Sequence, residues 1–202
     1  MTAVWIVSLM LGISVAEPTF TDAKHSLQQG KPVLTMLVRD LVDADSESRN
    51  IARDETARIL NNAGIDLRWI EANGSEDPHL PSETKSYVTV VIAGQAPNGW
   101  TSRDAMGFAP VRMGPYPRAY VFSALINVFL KNFTVRDKSA YGIVLGHALA
   151  HELGHLLIPG DAHGNGIMRP NWGYGEWQQA LEGTLLFTPD QARVLRQRLQ
   201  SN

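Results

Sequence analysis

The stretch HELGH at residues 151–155 sets His151 and His155 four positions apart with Glu152 beside the first of them. On an α-helix, positions i and i+4 lie on one face about one turn apart. Both imidazoles can therefore aim a ring nitrogen at one metal ion, at the roughly 2.0–2.1 Å of a zinc–nitrogen bond. Glu152 sits beside that face, near enough to hold a water at the ion without ligating. Zinc lowers the pKa of such a water to about 7, and a carboxylate can take its proton during attack on a carbonyl. Catalytic zinc ordinarily takes three protein ligands plus water, so one ligand is still missing. Two residues compete for that place, Asp161 and His163. His147 lies one turn before His151 on the same face. It is too far from His155 along the axis for all three to bind one ion, and is expected to pack or to support the ligands.

The element that must carry this pair is a long apolar helix, Ser139 to Leu157. Pro159 disfavours helical geometry at Ile158, so the helix should stop near Leu157. Pro159-Gly160 suits the central positions of a tight turn, with Gly accepting positive φ at little cost. Such a turn folds the chain back towards the two histidines.

Before that helix, KPVLTMLVRDLV (Lys31 to Val42) has the Val/Leu content of a strand. Ala52, Thr56, Ile59, Leu60 and Ala63 recur at helical spacing, and Gly64 closes that helix. IDLRWIEA (Ile65 to Ala72), YVTVVIAG (Tyr87 to Gly94) and RAYVF (Arg118 to Phe122) are further predicted strands. The Gly/Pro-rich stretch between 94 and 117 predicts loops around short extended pieces such as GFAPV, Gly107 to Val111. Thr188-Pro189-Asp190-Gln191 is a capping box that opens a last helix with Ala192, Leu195 and Leu199 on one face. Strand, helix, strands and then helices make an α+β domain with a mixed sheet.

At 202 residues the chain fits one domain with room for a core. A net charge of −2 with 19% charged residues lacks the concentrated basic face of a nucleic-acid binder. There is no cysteine, which excludes disulfides, thiolate ligands and a cysteine nucleophile. Ala3 to Val15 is an apolar run of signal-peptide length, short of the roughly 20 residues of a spanning helix. Ser14-Val15-Ala16 supplies small residues at the cleavage positions, although no Lys or Arg precedes the run. The expectation is a signal peptide over 1–16 and one domain over 17–202, the alternatives for the apolar run being a buried N-terminal strand or an uncleaved anchor. The mature protein is then secreted or periplasmic, with no stable membrane association after cleavage.

HELGHLLIPGDAHGNGIM (151–168) resembles the signature of the metzincin clan of zinc metallopeptidases, HExxHxxGxxH followed by a Met-bearing turn. Strict counting puts Ile158 at the Gly position and Asp161 at the third-ligand position. Gly160-Asp161-Ala162-His163, however, keeps the Gly-x-x-His unit whole, displaced by two residues. A shifted turn accounts for Gly and His together, which favours His163. Asp161 stays the competitor, because some metzincins use Asp there. GIMRP (Gly166 to Pro170) is similar to the Met-turn of matrixins and makes Met168 its methionine. Pro170 stands where some relatives carry a Tyr near the metal. The helix and the FTPDQA tail (Phe187 to Ala192) also look like small secreted bacterial metalloproteases.

The resemblance implies a metzincin-like mixed sheet with an antiparallel edge strand, an active-site helix, a Met-turn and C-terminal helices. It implies a Zn2+ cofactor held by His151, His155 and His163, with Glu152 as the catalytic base, and a peptide or protein substrate. In the clan an antiparallel edge strand receives the substrate, and MGFAPV (Met106 to Val111) is the candidate. Two other readings remain. One is a gluzincin-like site with Glu176 or Glu182 as a distant ligand, and the other is a non-catalytic, metal-stabilised binding module.

Overall fold

Strand β1 (Val33–Asp40) is the one on which the sheet is built, paired parallel with β2 (Asp66–Glu71) on one side and β3 (Tyr87–Ala93) on the other. Parallel strands covered on both faces read as unbroken apolar runs. Leu34, Met36, Leu37 and Val38 of β1 are accordingly all buried, as are Val88, Val90, Val91 and Ile92 of β3. β5 (Arg118–Phe122) continues the parallel set beside β3, and β4 (Gly107–Phe108) adds an antiparallel edge. The order is β2-β1-β3-β5-β4. The computed structural model describes residues 30–72, 87–96, 105–109, 117–132, 137–160 and 162–201. The proposed signal peptide, the stretch following it to residue 29, Pro110, Val111 and Asp161 lie outside the described residues.

The expected α+β architecture with a mixed sheet and an antiparallel edge is what the chain adopts. Lys31–Asn202 forms one compact unit. Helix α1 (Ser46–Asn62) begins earlier than its apolar periodicity suggests. Asp45 caps it, its carboxylate accepting from the Ser48 N–H at 3.2 Å and the Ser48 hydroxyl at 2.8 Å. Its buried face is Ser48, Ala52, Thr56, Ile59 and Leu60.

A helix that the sequence reading leaves out, α2 (Ser123–Asn132), follows β5 without a break. Next comes α3 (Lys138–Leu157), capped by Asp137, whose side chain accepts from the Ser139 N–H at 3.1 Å. α3 is apolar nearly all round: Val144, Leu145, Ala148, Leu149, Leu153, Leu156 and Leu157 are buried. It packs on α1, β5, α2 and the later helices, so it runs through the centre of the core. Thr56 of α1 donates to the Gly146 carbonyl of α3 at 3.2 Å, pinning the two helices. After a 3-10 turn at Gly166–Met168 come α4 (Tyr174–Leu181) and α5 (Pro189–Gln200). The predicted capping box of α5 is present: Thr188 Oγ1 accepts from the Gln191 N–H and Gln191 Oε1 from the Thr188 N–H. Among the described residues no helix is long and apolar enough to cross a membrane.

Candidate metal centre

α3 ends where Pro159 requires. Ile158 is extended at φ −88°, ψ 119°, and its N–H still reaches the Gly154 carbonyl at 2.8 Å. Gly160 then takes φ 77°, the left-handed turn position expected of it. The chain returns along the helix and is fastened on both sides of His163. Ala162 is buried, and the Gly164 N–H donates to the Met168 carbonyl at 3.0 Å. Met168 is fully buried, with its thioether against the Cα of Gly154. A Cβ at residue 154 would meet the Met168 methyl at 2.9 Å, so glycine there lets the methionine lie directly under the helix between the two histidines.

His151, His155 and His163 come together at the mouth of this fold. Their rings stand edge-on: centroids are 4.8 Å apart for His151 and His155, and 4.6 Å for His155 and His163. The Nε2 atoms of His151 and His155 are 3.1 Å apart, and one nitrogen from each of the three rings falls within 4.8 Å of the others. Two nitrogens that share an ion at roughly 2.0–2.1 Å are about 3.3 Å apart in a tetrahedral site. The helical pair fits as it stands, and the exposed His163 nitrogen would close in by up to about 1.5 Å to complete the set.

His151 is arranged as a ring that could ligate a metal. Its Nδ1 lies 2.6 Å from the Ile167 carbonyl, an acceptor only, so Nδ1 carries the proton and Nε2 keeps its lone pair towards the cluster. The Trp172 indole donates to the same carbonyl at 3.2 Å and stands edge-on to His151. Burial, partly offset by the Ile167 hydrogen bond, lowers the His151 pKa to about 4, and proximity to His163 adds to the lowering. At neutral pH His151 is thus neutral, the form that binds metal. His147 is sealed in the core and is not part of the histidine cluster: its Nδ1 meets the Ile143 carbonyl at 2.9 Å and Glu55 at 3.5 Å. Burial holds its pKa below the ordinary value. Glu176 and Glu182 do not reach the cluster either. Glu176 accepts from Arg169 at 2.7 Å and from the Gly173 N–H at 2.8 Å, and Glu182 accepts from Gln178 at 2.9 Å.

Glu152 is 5% exposed, and burial raises its pKa to about 8. It lies against the edge strand. A Cβ on Gly107 would fall 2.6 Å from the Glu152 carboxyl carbon and 2.6 Å from the Tyr120 carbonyl oxygen. Only glycine leaves the carboxylate this room, a role the sequence reading did not assign. The available signal was a Gly inside a short strand, which often marks close backbone approach. A cleft of about 870 Å3 is lined by the three histidines, Glu152, the β4 residues and the 169–172 segment. A smaller cavity of about 480 Å3 beside Asp45, Asp137 and Tyr141 holds none of the histidines. Three imidazoles, an adjacent carboxyl and an open cleft can bind a borderline-soft cation and present a base to whatever enters.

No family model matches the chain, and no curated protein matches it in sequence. Among solved structures it is similar to metalloproteinase-II from Bacteroides fragilis, at 15% identity and a TM-score of 0.39, over 76% of this chain and 53% of that one. The chain thus spans about half the length of that structure. So distant a likeness leaves the chemistry to rest on the chain's own residues.

Proposed function

We propose that this chain is a zinc-dependent endopeptidase of metzincin type that acts outside the cytoplasm. The observation that carries the proposal is the meeting of His151, His155 and His163 in one cleft, with the buried Glu152 carboxyl beside them. The donor set is all imidazole, which suits zinc, and the described cluster offers three ligands rather than the four of a purely structural site.

His151, His155 and His163 would hold the ion, and the Ile167 carbonyl fixes the ring and tautomer of the first. When bound, zinc supplies Lewis-acid polarisation of a carbonyl and makes water a nucleophile near neutral pH. Glu152 takes the proton of the attacking water and returns it to the departing amine, which breaks the peptide bond. Its carboxyl is shielded from bulk solvent, and in the ion-free chain it keeps its proton to about pH 8. A dication at the histidines stabilises the carboxylate and so favours the base form that the reaction needs. The edge strand β4, whose backbone bounds the cleft at Gly107, is the natural place for an extended peptide to lie.

The test is zinc-dependent cleavage of a diverse peptide library by the full chain, with Glu152→Gln as control. Cleavage that needs zinc and disappears in the variant supports the reading. Zinc bound tightly with no cleavage of any peptide removes the peptidase and leaves a binding module. Export rests on the apolar run before Ser14-Val15-Ala16. N-terminal sequencing of the mature protein should begin at or near Glu17, and intact Met1 in the cytoplasm would overturn it.

A further inference from the structure

The segment that follows Met168 forms a wall of the same cleft with Arg169, Pro170, Asn171 and Trp172. Among the described residues lining the cleft, Arg169 is the one permanent cation, and Glu152 is the one acid. Glu152 is spoken for at the back of the cleft, against Gly107. The wall at 169–172 therefore offers a cation that, among the described residues, shares the cleft lining with Glu152 as the one acid.

Arg169 is held in place. Its Nη1 donates at 2.7 Å to Oε1 of Glu176, whose other oxygen, Oε2, accepts from the Gly173 N–H at 2.8 Å. Glu176 is in the first turn of α4, and the Gly173 hydrogen bond and Arg169 both keep its carboxyl below its ordinary pKa. It is therefore a carboxylate at neutral pH, and it does not itself line the cleft. An arginine carries five N–H donors in a rigid fork, so an anchor at one nitrogen leaves most of them available. Because the anchor already restricts the guanidinium, less side-chain entropy is lost when a second carboxylate arrives. Trp172 follows on the same wall and packs by its edge on His151, an apolar surface suited to the methylene groups of a side chain that ends in a carboxylate.

We infer that Arg169 makes this wall a subsite for an acidic side chain, so that the cleft selects peptides carrying Asp or Glu close to the scissile bond. This rests on the peptidase reading only for where the peptide is cut, because binding at the subsite needs no turnover. With its side chain 58% exposed, Arg169 gives the lower part of what a charge-assisted hydrogen bond contributes, about 5–20-fold in affinity.

The experiment uses the zinc-loaded full chain bearing Glu152→Gln and a matched peptide set in which Glu, Gln and Lys are exchanged at each position in turn. Calorimetry gives the affinities. At one position Glu should bind about 5–20-fold more tightly than Gln, and Arg169→Gln should bring that ratio close to one. Arg169→Glu should reverse it in favour of Lys, a gain that loss of folding cannot produce. An equal affinity for Glu and Gln at every position, a preference unchanged by Arg169→Gln, or no binding by any peptide overturns the subsite. The same peptides given to the chain with Glu152 intact test cleavage separately: acidic peptides that bind through Arg169 and stay whole keep the subsite and sink the peptidase.

Discussion

His151 and His163 would serve the same ion, yet the fold holds them by different means. His151 is half-buried on a helix that runs through the core, with its ring nitrogen fastened to the Ile167 carbonyl and Trp172 at its edge. His163 is exposed on a stretch without regular structure, placed by the turn at Gly160, the buried Ala162 and the Gly164 N–H bond to the Met168 carbonyl. The helical half is preorganised by packing, whereas the loop half is preorganised only by its ends. The helix should therefore tie metal binding to stability, while the loop should affect metal binding alone.

The sharpest way to break that contrast is to remove one ligand from each half. His151→Ala and His163→Ala should each weaken zinc binding by more than about 100-fold and abolish turnover, since changes in supporting residues alone cost about 10–100-fold. Their effects on the ion-free chain should differ. His163→Ala should leave its stability within about 0.5 kcal/mol, as surface changes do, whereas His151→Ala should cost about 1–3 kcal/mol. Competition titration against a chelator and denaturant unfolding read the two quantities. Asp161→Ala should be milder than His163→Ala in the same titration. Metal lost in Asp161→Ala but kept in His163→Ala would hand the third place to Asp161.

Within the helical half, ligand and base can be separated. Glu152→Gln should keep about one zinc per chain and lower turnover by about 10²–10⁴-fold, the usual contribution of a positioned base. Gly107→Ala acts on the same carboxyl from the edge strand. Its methyl group would press on Glu152 and on the Tyr120 carbonyl, and a displacement of about 1 Å can cost about 100-fold in rate. Zinc affinity should stay within about threefold, because residue 107 lies against the base and not the imidazoles. Equal losses of metal and rate in Gly107→Ala would show that the edge strand supports the whole site rather than the base.

The same division explains what was legible in the sequence. The helix pair follows from a four-residue spacing, and its end from Pro159, both local rules that tertiary context does not disturb. The turn at Gly160 was equally local. α2 escaped because RAYVFSALINVFL runs from strand into helix with no Gly or Pro, and Ser123 at the change has Ile126 rather than the Glu or Gln of a capping box three positions on. α4 escaped because its N-cap is Gly173, which has no side chain, and the cap is made by Glu176 reaching back to the Gly173 N–H. α1 starts six residues before its first predicted apolar position, at Ser46 against Ala52, since its first turn carries mostly polar residues. Gly107 against Glu152 joins residues 45 positions apart (152 − 107 = 45). No spacing rule reaches that far, and a short strand with a glycine in it only hinted that something comes close.

The last difference between the halves is one of pH. Glu152 has its pKa raised to about 8 by burial, so the ion-free folded chain keeps a proton there that the unfolded chain gives up above its ordinary value of 4.5. Stability from this group is present at low pH and is lost as pH rises from about 4.5 to 8. His151, lowered to about 4, works the other way: the unfolded chain binds its proton up to 6.5 while the folded chain does not, so stability rises between about 4 and 6.5. His147, also held below 6.5 by burial, acts in that direction too. Below pH 6.5 these contributions oppose one another, and from there to about 8 Glu152 acts alone among them. In chelator, unfolding free energy should fall over that interval by at most about 1.4 kcal/mol per pH unit. Glu152→Gln should flatten the slope and His163→Ala should leave it intact, because the proton belongs to the helix and not to the loop. Saturating zinc should flatten it as well, since a dication beside Glu152 lowers its pKa towards the ordinary value. A slope of the same size in Glu152→Gln would assign the proton to another group and remove the electrostatic part of the contrast.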